Sequence, residues 1–217
     1  MTFQEAVMPV ERVFLDTNIV CNLRWIMSDA TFEDGFYDHY SQKFITTDRE
    51  LSRDCMALRY LIEKDDQFAL QFVVSSTVVA ELEKTQPAGK KDELLSIVNQ
   101  LAIHFEDHQK EYLSESELPL LSPTQRMSWV NLYERGGLNF LPHEADRRLV
   151  LDSVLERCHL FLTVDRKTIW NFRSQLTELG VNVKRPLEYL RSFMFPLSEA
   201  NLGFLGPDDI LNLIDTV

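Results

Sequence analysis

The stretch that decides the fold is VFLDTNIV, Val13–Val20. Its apolar run Val13–Leu15 is short, contains β-branched and aromatic side chains, and stops at Asp16, which Thr17 and Asn18 follow. An apolar run of this length that ends at polar residues predicts a buried strand followed by a polar loop.

Three later stretches repeat this pattern. The predicted strands are Phe72–Val74, Leu160–Thr163 and Val181–Val183. Ser75, Ser76 and Thr77 are candidate N-caps for a helix that continues through Leu82. Helical spacing of apolar residues occurs between the strands, at Cys55–Ile62, Leu94–Ala102 and Leu149–Val154. This alternation predicts an α/β layer fold with a mainly parallel sheet.

No repeat or Gly/Ser linker divides the chain, which predicts a single domain over residues 1–217. Glu111–Pro123 reads as a loop between helices, and Arg135–Leu138 as a turn.

The 217 residues are 45% apolar and 26% charged, a composition typical of a soluble globular protein. We expect neither a signal peptide nor a membrane span, and therefore a cytoplasmic location. The cysteines, Cys21, Cys55 and Cys158, form no C-x-x-C pair and are expected to be reduced and mostly buried.

The net charge of -12 by itself argues against a general nucleic-acid binder, because phosphates are bound mainly by Lys and Arg. The charge is uneven, however. Residues 147–191 contain nine basic and five acidic side chains, whereas the preceding 146 residues are strongly acidic. The acidic body therefore includes one locally basic stretch that permits phosphate contacts.

Acidic residues follow the predicted strands. Asp16 and Asp165 come after the first and third strands, and Glu81 lies in the first turns of the helix after the second. The carboxyl ends of parallel strands meet at one edge of a sheet, where ligands bind. Asp146 opens a later helix, and periodicity leaves open whether it reaches this edge. Carboxylates that face one another repel unless a cation lies between them, and oxygen ligands favour Mg²⁺ or Mn²⁺.

The sequence resembles the PIN (PilT N-terminal) domain family in five blocks taken in order. They are FLDTNIV (14–20), VVSSTVVAEL (73–82), ADRRLVLDSV (145–154), LFLTVD (160–165) and VNVKRPLEYL (181–190). The family includes toxin nucleases of bacterial toxin-antitoxin pairs and ribonucleases of RNA processing and decay. The resemblance implies a three-layer α/β/α fold with a central, mainly parallel sheet. It also implies cleavage of single-stranded RNA or flap-like nucleic acid with Mg²⁺ or Mn²⁺. Carried over position by position, it assigns Asp16, Glu81, Asp146 and Asp165 as catalytic, metal-binding residues.

Two segments depart from the compact toxins. The acidic stretch between the first two blocks reads as a helical insertion over about residues 24–71, and residues after about 191 form an extension. Both put the toxin role in more doubt than the nuclease role. The acidic insertion is expected to face away from substrate or toward a basic partner. An antitoxin, another protein or a second copy of the chain remain open as partners.

Further residues have both a functional and an ordinary interpretation. Thr17, Asn18 and Thr163 either hydrogen-bond the acids or serve only in turns. Six basic side chains either bind RNA phosphates or form a solvated charged face. They are Arg147, Arg148, Arg166, Lys167, Lys184 and Arg185. Asp152 is expected to be a solvated helix residue rather than a fifth acid of the site.

Other polar and aromatic residues favour structural roles. His104 and His108 share a helix face but lack the H-E-x-x-H order of a zinc site, and His143 and His159 are also expected to be structural. Tyr133, Trp129 and Trp170 are candidates for stacking on bases, although core packing is the ordinary role of the tryptophans. Phe193, Phe195, Phe204 and Leu205, with a helix start at Gly206–Asp209, are expected to pack on the domain or on a partner.

The resulting hypothesis is a metal-dependent endoribonuclease. The alternative is a non-catalytic PIN-like binding or scaffold module, which the acidic surface favours. A phosphatase of the haloacid dehalogenase type also has an Asp after its first strand, but it needs a second acid two residues later, where this chain has Asn18.

Overall fold

A computed structural model describes residues 11–27, 48–63, 70–112 and 121–197. Four parallel strands form one sheet in the order β2-β1-β3-β4. The strands are β1 (Glu11–Leu15), β2 (Leu70–Val73), β3 (Leu160–Leu162) and β4 (Val183–Lys184). The sheet is therefore entirely parallel within the described residues, and the three-layer α/β/α prediction is confirmed.

Helices connect and cover these strands. They are α1 (Thr17–Met27), α2 (Arg49–Glu63), α3 (Ser76–Leu82), α4 (Ala88–Tyr112), α5 (Pro123–Glu134), α6 (Glu144–Leu155), α7 (Arg173–Glu178) and α8 (Pro186–Leu197), with a 3₁₀ helix at Ile169–Phe172. Helix α1 packs against α4 and α2, α2 against α8, and α3 against α6. As predicted, Ser75 caps α3 by accepting from the amide of Val78.

The strand order creates a switch point beside β1. The chain passes from β1 to β2 on one side and later returns to place β3 on the other. In the register, Leu15 lies opposite Leu162. In open α/β sheets, ligands bind in the crevice beyond the carboxyl ends of the strands at such a point.

The core explains why β1 and β3 read as continuous apolar runs. Residues 13–15 and 160–162 are at most 1% exposed, because the sheet is covered on both faces. The rings of Phe14 and Phe161 stack across the two strands with centroids 5.0 Å apart. The two strands that end at the switch point are therefore packed against each other in the core.

Several predicted boundaries were wrong. The fourth strand is Val183–Lys184 rather than Val181–Val183. Helix α8 runs continuously through residue 191, so the start of the predicted extension lies within this helix, and the extension itself stays a prediction. Helix α4 continues to Tyr112 and α5 begins at Pro123, which leaves a shorter connection than predicted. The tail residues Phe204 and Leu205 and the helix start at Gly206–Asp209 lie outside the described residues.

Other global expectations concern cysteines and membranes. All three cysteines are free thiols, with Cys55 buried and Cys21 and Cys158 partly buried. Burial raises the pKa of Cys55 and of Cys158 to about 12, which makes both thiols poor nucleophiles. No helix within the described ranges has the length and apolarity needed to cross a membrane.

Candidate active site

Asp16 is the single residue between β1 and α1, and it is 1% exposed. Its Oδ1 accepts from the amide of Ile19 at 2.7 Å and caps α1, while its Oδ2 accepts from the hydroxyl of Thr163. Burial raises the pKa of Asp16 to about 7, opposed by those two hydrogen bonds and reinforced by the carboxylates of Asp165 and Asp146. A buried carboxylate next to other acids is a common feature of functional sites.

Asp165 follows β3 in a tight turn. Its Oδ1 accepts from the amides of Lys167 at 2.8 Å and Thr168 at 3.3 Å, and its Oδ2 accepts from the Thr168 hydroxyl at 2.6 Å. The turn is an Asx-turn, in which the aspartate side chain hydrogen-bonds the backbone that follows it. It also fixes the carboxylate at the switch point, where Oδ2, which accepts one hydrogen bond, retains a lone pair.

Glu81 lies in the second turn of the two-turn helix α3. Its Oε2 accepts from the hydroxyl of Thr17 at the beginning of α1. The contact orients Glu81 toward the end of β1, because Thr17 directly follows Asp16. Thr17 and Thr163 thus each hydrogen-bond one of the predicted acids.

Periodicity left open whether Asp146 reaches the other acids, and the structure places it where it interacts with them. It is the third residue of α6, after the N-cap His143, so it is not the cap itself. Its Oδ2 is buried and has no hydrogen-bond partner. Burial raises the pKa of Asp146, opposed by His143 and Thr168 and reinforced by the carboxylates of Asp165 and Glu81. The hydroxyl of Thr168 donates its hydrogen to Asp165, so this hydrogen does not satisfy the unpartnered Oδ2 of Asp146.

The four acids are thus electrostatically coupled. Asp146 interacts with Asp165 and Glu81, and Asp16 interacts with Asp165 and Asp146. Even so, across the described residues no three His, Cys, Asp or Glu side chains lie close enough to hold a metal ion as they stand. The site fits a hard cation in its oxygen donors and in the unpartnered Oδ2 of Asp146. Mg²⁺ characteristically takes only one or two carboxylates and keeps several waters, so a closed cage is unnecessary.

Two other predicted residues do not join the acids. Asn18 is exposed and its carbonyl accepts from the Asn22 side chain at 2.7 Å. Asp152 is buried at 8% exposure, not solvated as predicted, and its Oδ1 lies 3.3 Å from Nε of Arg148. Because Asp152 lies six residues beyond Asp146 on α6, it is about 9 Å further along the helix axis.

Acids in the described part of the acidic segment contact two arginines of the basic stretch, and the orientation of the segment relative to a substrate or a basic partner stays a prediction. Nη1 of Arg166 lies 3.0 Å from Oε2 of Glu50, and Nη2 lies 3.2 Å from Oδ1 of Asp48. Arg185 pairs with Glu50 at 2.9 Å and donates from two nitrogens to the buried Asp54. The acids around α2 therefore neutralise two of the arginines predicted to bind phosphate. Desolvation dominates at Asp54 and raises its pKa despite Arg185.

The remaining predicted cations differ in their availability. Arg148 pairs with Asp152, and Nη1 of Arg147 donates to Oδ1 of Asn139 at 2.6 Å. Lys184 lies over the ring of Tyr189, 5.7 Å from its centroid. Lys167 is exposed and forms no ion pair within the described part of the chain. Of the predicted cations beside Asp165, Lys167 is therefore the one available to a phosphate.

The aromatic and histidine residues singled out in the sequence have different surroundings in the structure. Arg173 lies 3.9 Å from the ring centroid of Trp170, so that ring face is already occupied. Trp129 is partly buried against the core and lines an open groove. His159 accepts from the amide of Arg12 at 3.1 Å, in agreement with a structural role. His104 and His108 lie in α4, and their side chains are outside the described set, as are those of Phe193 and Phe195 in α8.

Sequence reasoning missed Thr168 and the acids that neutralise the basic stretch. Thr168 is 8% exposed and links Asp165 to the surroundings of Asp146. A Thr three residues after an Asp is a recognisable turn signal. The pairs Arg166–Glu50 and Arg185–Asp54 span more than 110 residues of sequence, and no local pattern reveals them.

Comparisons with protein-family models, curated proteins and solved structures gave no match to this chain.

Proposed function

We propose that this protein is a PIN-like, Mg²⁺- or Mn²⁺-dependent endoribonuclease that hydrolyses phosphodiester bonds of single-stranded RNA. One observation carries the proposal. Four acids, Asp16, Glu81, Asp146 and Asp165, are coupled at the switch point of a parallel sheet, and one buried oxygen has no partner. Burial and the repulsion between neighbouring carboxylates both disfavour the charged form of these acids, and such an arrangement is typical of functional sites that bind cations.

The chain's own residues have defined tasks in this proposal. Thr163 and the amide of Ile19 hold Asp16, and Thr17 holds Glu81, so that both carboxylates keep their orientation. Asp16, Glu81, Asp146 and Asp165 are the residues from which the one or two carboxylates that hold the cation would come. A bound divalent cation supplies a water of lowered pKa and stabilises negative charge on the scissile phosphate. Lys167, beside Asp165, is placed to bind a neighbouring phosphate.

The acids that neutralise Arg166 and Arg185 shape the expected binding. With these cations in ion pairs, the substrate gains little from general electrostatic attraction. We therefore expect weak binding that depends on the cation and on local contacts, in accord with the net charge of -12.

The test is cleavage of single-stranded RNA in Mn²⁺ or Mg²⁺ by the wild type and by Asp16→Asn and Asp165→Asn. Both substitutions are expected to abolish cleavage, as is the addition of EDTA. Glu144→Gln is the matched control, because this exposed acid lies in the first turn of α6 beside Asp146. Cleavage retained by both Asn variants would contradict the proposal.

A binding or scaffold module is the second candidate. It is favoured by Asp165, whose carboxylate already accepts three hydrogen bonds in the turn, and by the lack of a three-ligand group within the described residues. If the wild type shows no cleavage of any nucleic acid and no Mn²⁺ binding by calorimetry, this candidate replaces the nuclease.

A further inference from the structure

A groove alongside α5 lies apart from the four acids. It has a volume of about 510 Å³, within the range of small-molecule sites. Trp129, Leu132 and Leu179 give it apolar surface, and Ser128, Asn131 and Arg135 give it polar groups. We refer to it as the α5 groove.

The chemistry of this lining differs from that of the protein as a whole. The chain has 34 acidic residues, yet none of the described residues that line the α5 groove is acidic. Arg135 is exposed and forms no ion pair within the described ranges, in contrast to Arg166 and Arg185. The groove thus combines an indole ring, an uncommitted cation and amide and hydroxyl groups.

We infer that the α5 groove binds one nucleotide of single-stranded RNA, with its base against Trp129 and its phosphate at Arg135. Aromatic rings supply the stacking surface and arginines the phosphate contact in single-strand binding. Asn131 and Ser128 offer hydrogen bonds to a base edge. The inference rests on the proposed function for the identity of the ligand.

The groove is connected to the acidic site through the chain. Gly137 lines it, and the amide of Asn139 donates to the carbonyl of Gly136 in the same turn. Oδ1 of Asn139 accepts from Arg147, the residue next to Asp146. A strand of RNA bound in the groove is therefore anchored on the segment that leads directly into the helix of Asp146.

The experiment measures binding of a fluorescein-labelled single-stranded RNA of about 12 nucleotides in EDTA, so that cleavage does not interfere. Trp129→Leu is expected to weaken binding by about tenfold through loss of stacking. Arg135→Gln is expected to weaken it and to reduce the dependence of log K on log salt by about 0.7. Arg126→Gln, an exposed arginine on the same helix outside the groove, is the matched control and should bind like the wild type.

Two results would overturn the inference. The first is an unchanged affinity and salt dependence in Arg135→Gln, an exposed position at which folding is not in question. The second is a wild type that does not bind RNA. Failure of the nuclease proposal is distinguishable, because a chain that binds RNA through the groove without cleaving it in Mn²⁺ refutes only catalysis.

Discussion

The hydroxyl of Thr163 donates to Oδ2 of Asp16, although 147 positions separate the two residues in the chain. Parallel pairing of β1 with β3 brings them together. Leu15 lies opposite Leu162, Asp16 directly follows Leu15, and Thr163 directly follows Leu162. Both side chains are buried. The hydrogen bond therefore connects the two strand ends on which the candidate site is built.

Thr163→Val should destabilise the protein by about 1–3 kcal/mol, because it leaves a buried carboxylate oxygen without its donor. The substitution keeps the shape of the side chain, so little packing is lost. Urea unfolding at pH 7 measures the effect, and Thr163→Ser, which restores the hydroxyl, should recover most of it. Equal stability of the Val and Ser variants would contradict the assigned hydrogen bond.

Asp16 should make the stability of the metal-free protein depend on pH. Its pKa is about 7 in the folded protein and 3.8, the ordinary value of an Asp, in the unfolded chain. Between these values the folded state holds a proton that the unfolded chain has released. The free energy of unfolding should therefore fall as pH rises through this window, by up to about 4 kcal/mol.

Asp16→Asn should remove this contribution, because the amide is neutral at every pH and Asn also serves as an N-cap. The check is urea unfolding in EDTA at intervals from pH 5 to pH 8. The difference between wild type and variant isolates Asp16 from the other acids. Parallel curves for the two proteins would refute the burial argument.

Divalent cations should stabilise the wild type if the four acids bind them. With a dissociation constant of about 1 mM, 10 mM Mg²⁺ adds about 1.4 kcal/mol to the free energy of unfolding. The increase in Tm should be larger at pH 8 than at pH 6, because protons compete for Asp16. Asp146→Asn should reduce the increase and Glu144→Gln should not; an equal response in both variants would argue against Asp146 as a ligand.

Glu50→Gln should increase the affinity for single-stranded RNA and steepen its salt dependence, because Arg166 and Arg185 both lose an ion-pair partner. Asp92→Asn is the control that removes one exposed acid elsewhere, in α4. Binding is measured by fluorescence anisotropy in EDTA. The same gain in both variants would show that only net charge matters.

Gly137→Ala should cost about 1–3 kcal/mol, since a Cβ at this position collides with the side chain of Leu132. Gly89→Ala is the matched control, because a Cβ there meets nothing within 4 Å and the residue lies in α4. That control should be neutral or slightly stabilising. Urea unfolding of both variants tests whether the turn beside the α5 groove is as tightly packed as described.

Much of the fold could be predicted from local patterns. The runs Val13–Leu15 and Leu160–Leu162 are apolar because both faces of a parallel sheet are covered, and that is visible in one strand at a time. Element ends were less predictable. Helix α8, for example, packs against α2 and passes through residue 191 without a break.

The candidate site, too, could be predicted from the sequence only in part. The sequence by itself determined that acids follow the ends of strands, since that depends only on neighbouring residues. Tertiary structure alone decided that Asp146 is coupled to Asp165 and Glu81, and that Arg166 and Arg185 pair with acids of α2. Coulombic interactions and desolvation depend on distance and burial in three dimensions, which the packing of helices on the sheet fixes and which sequence separation does not encode.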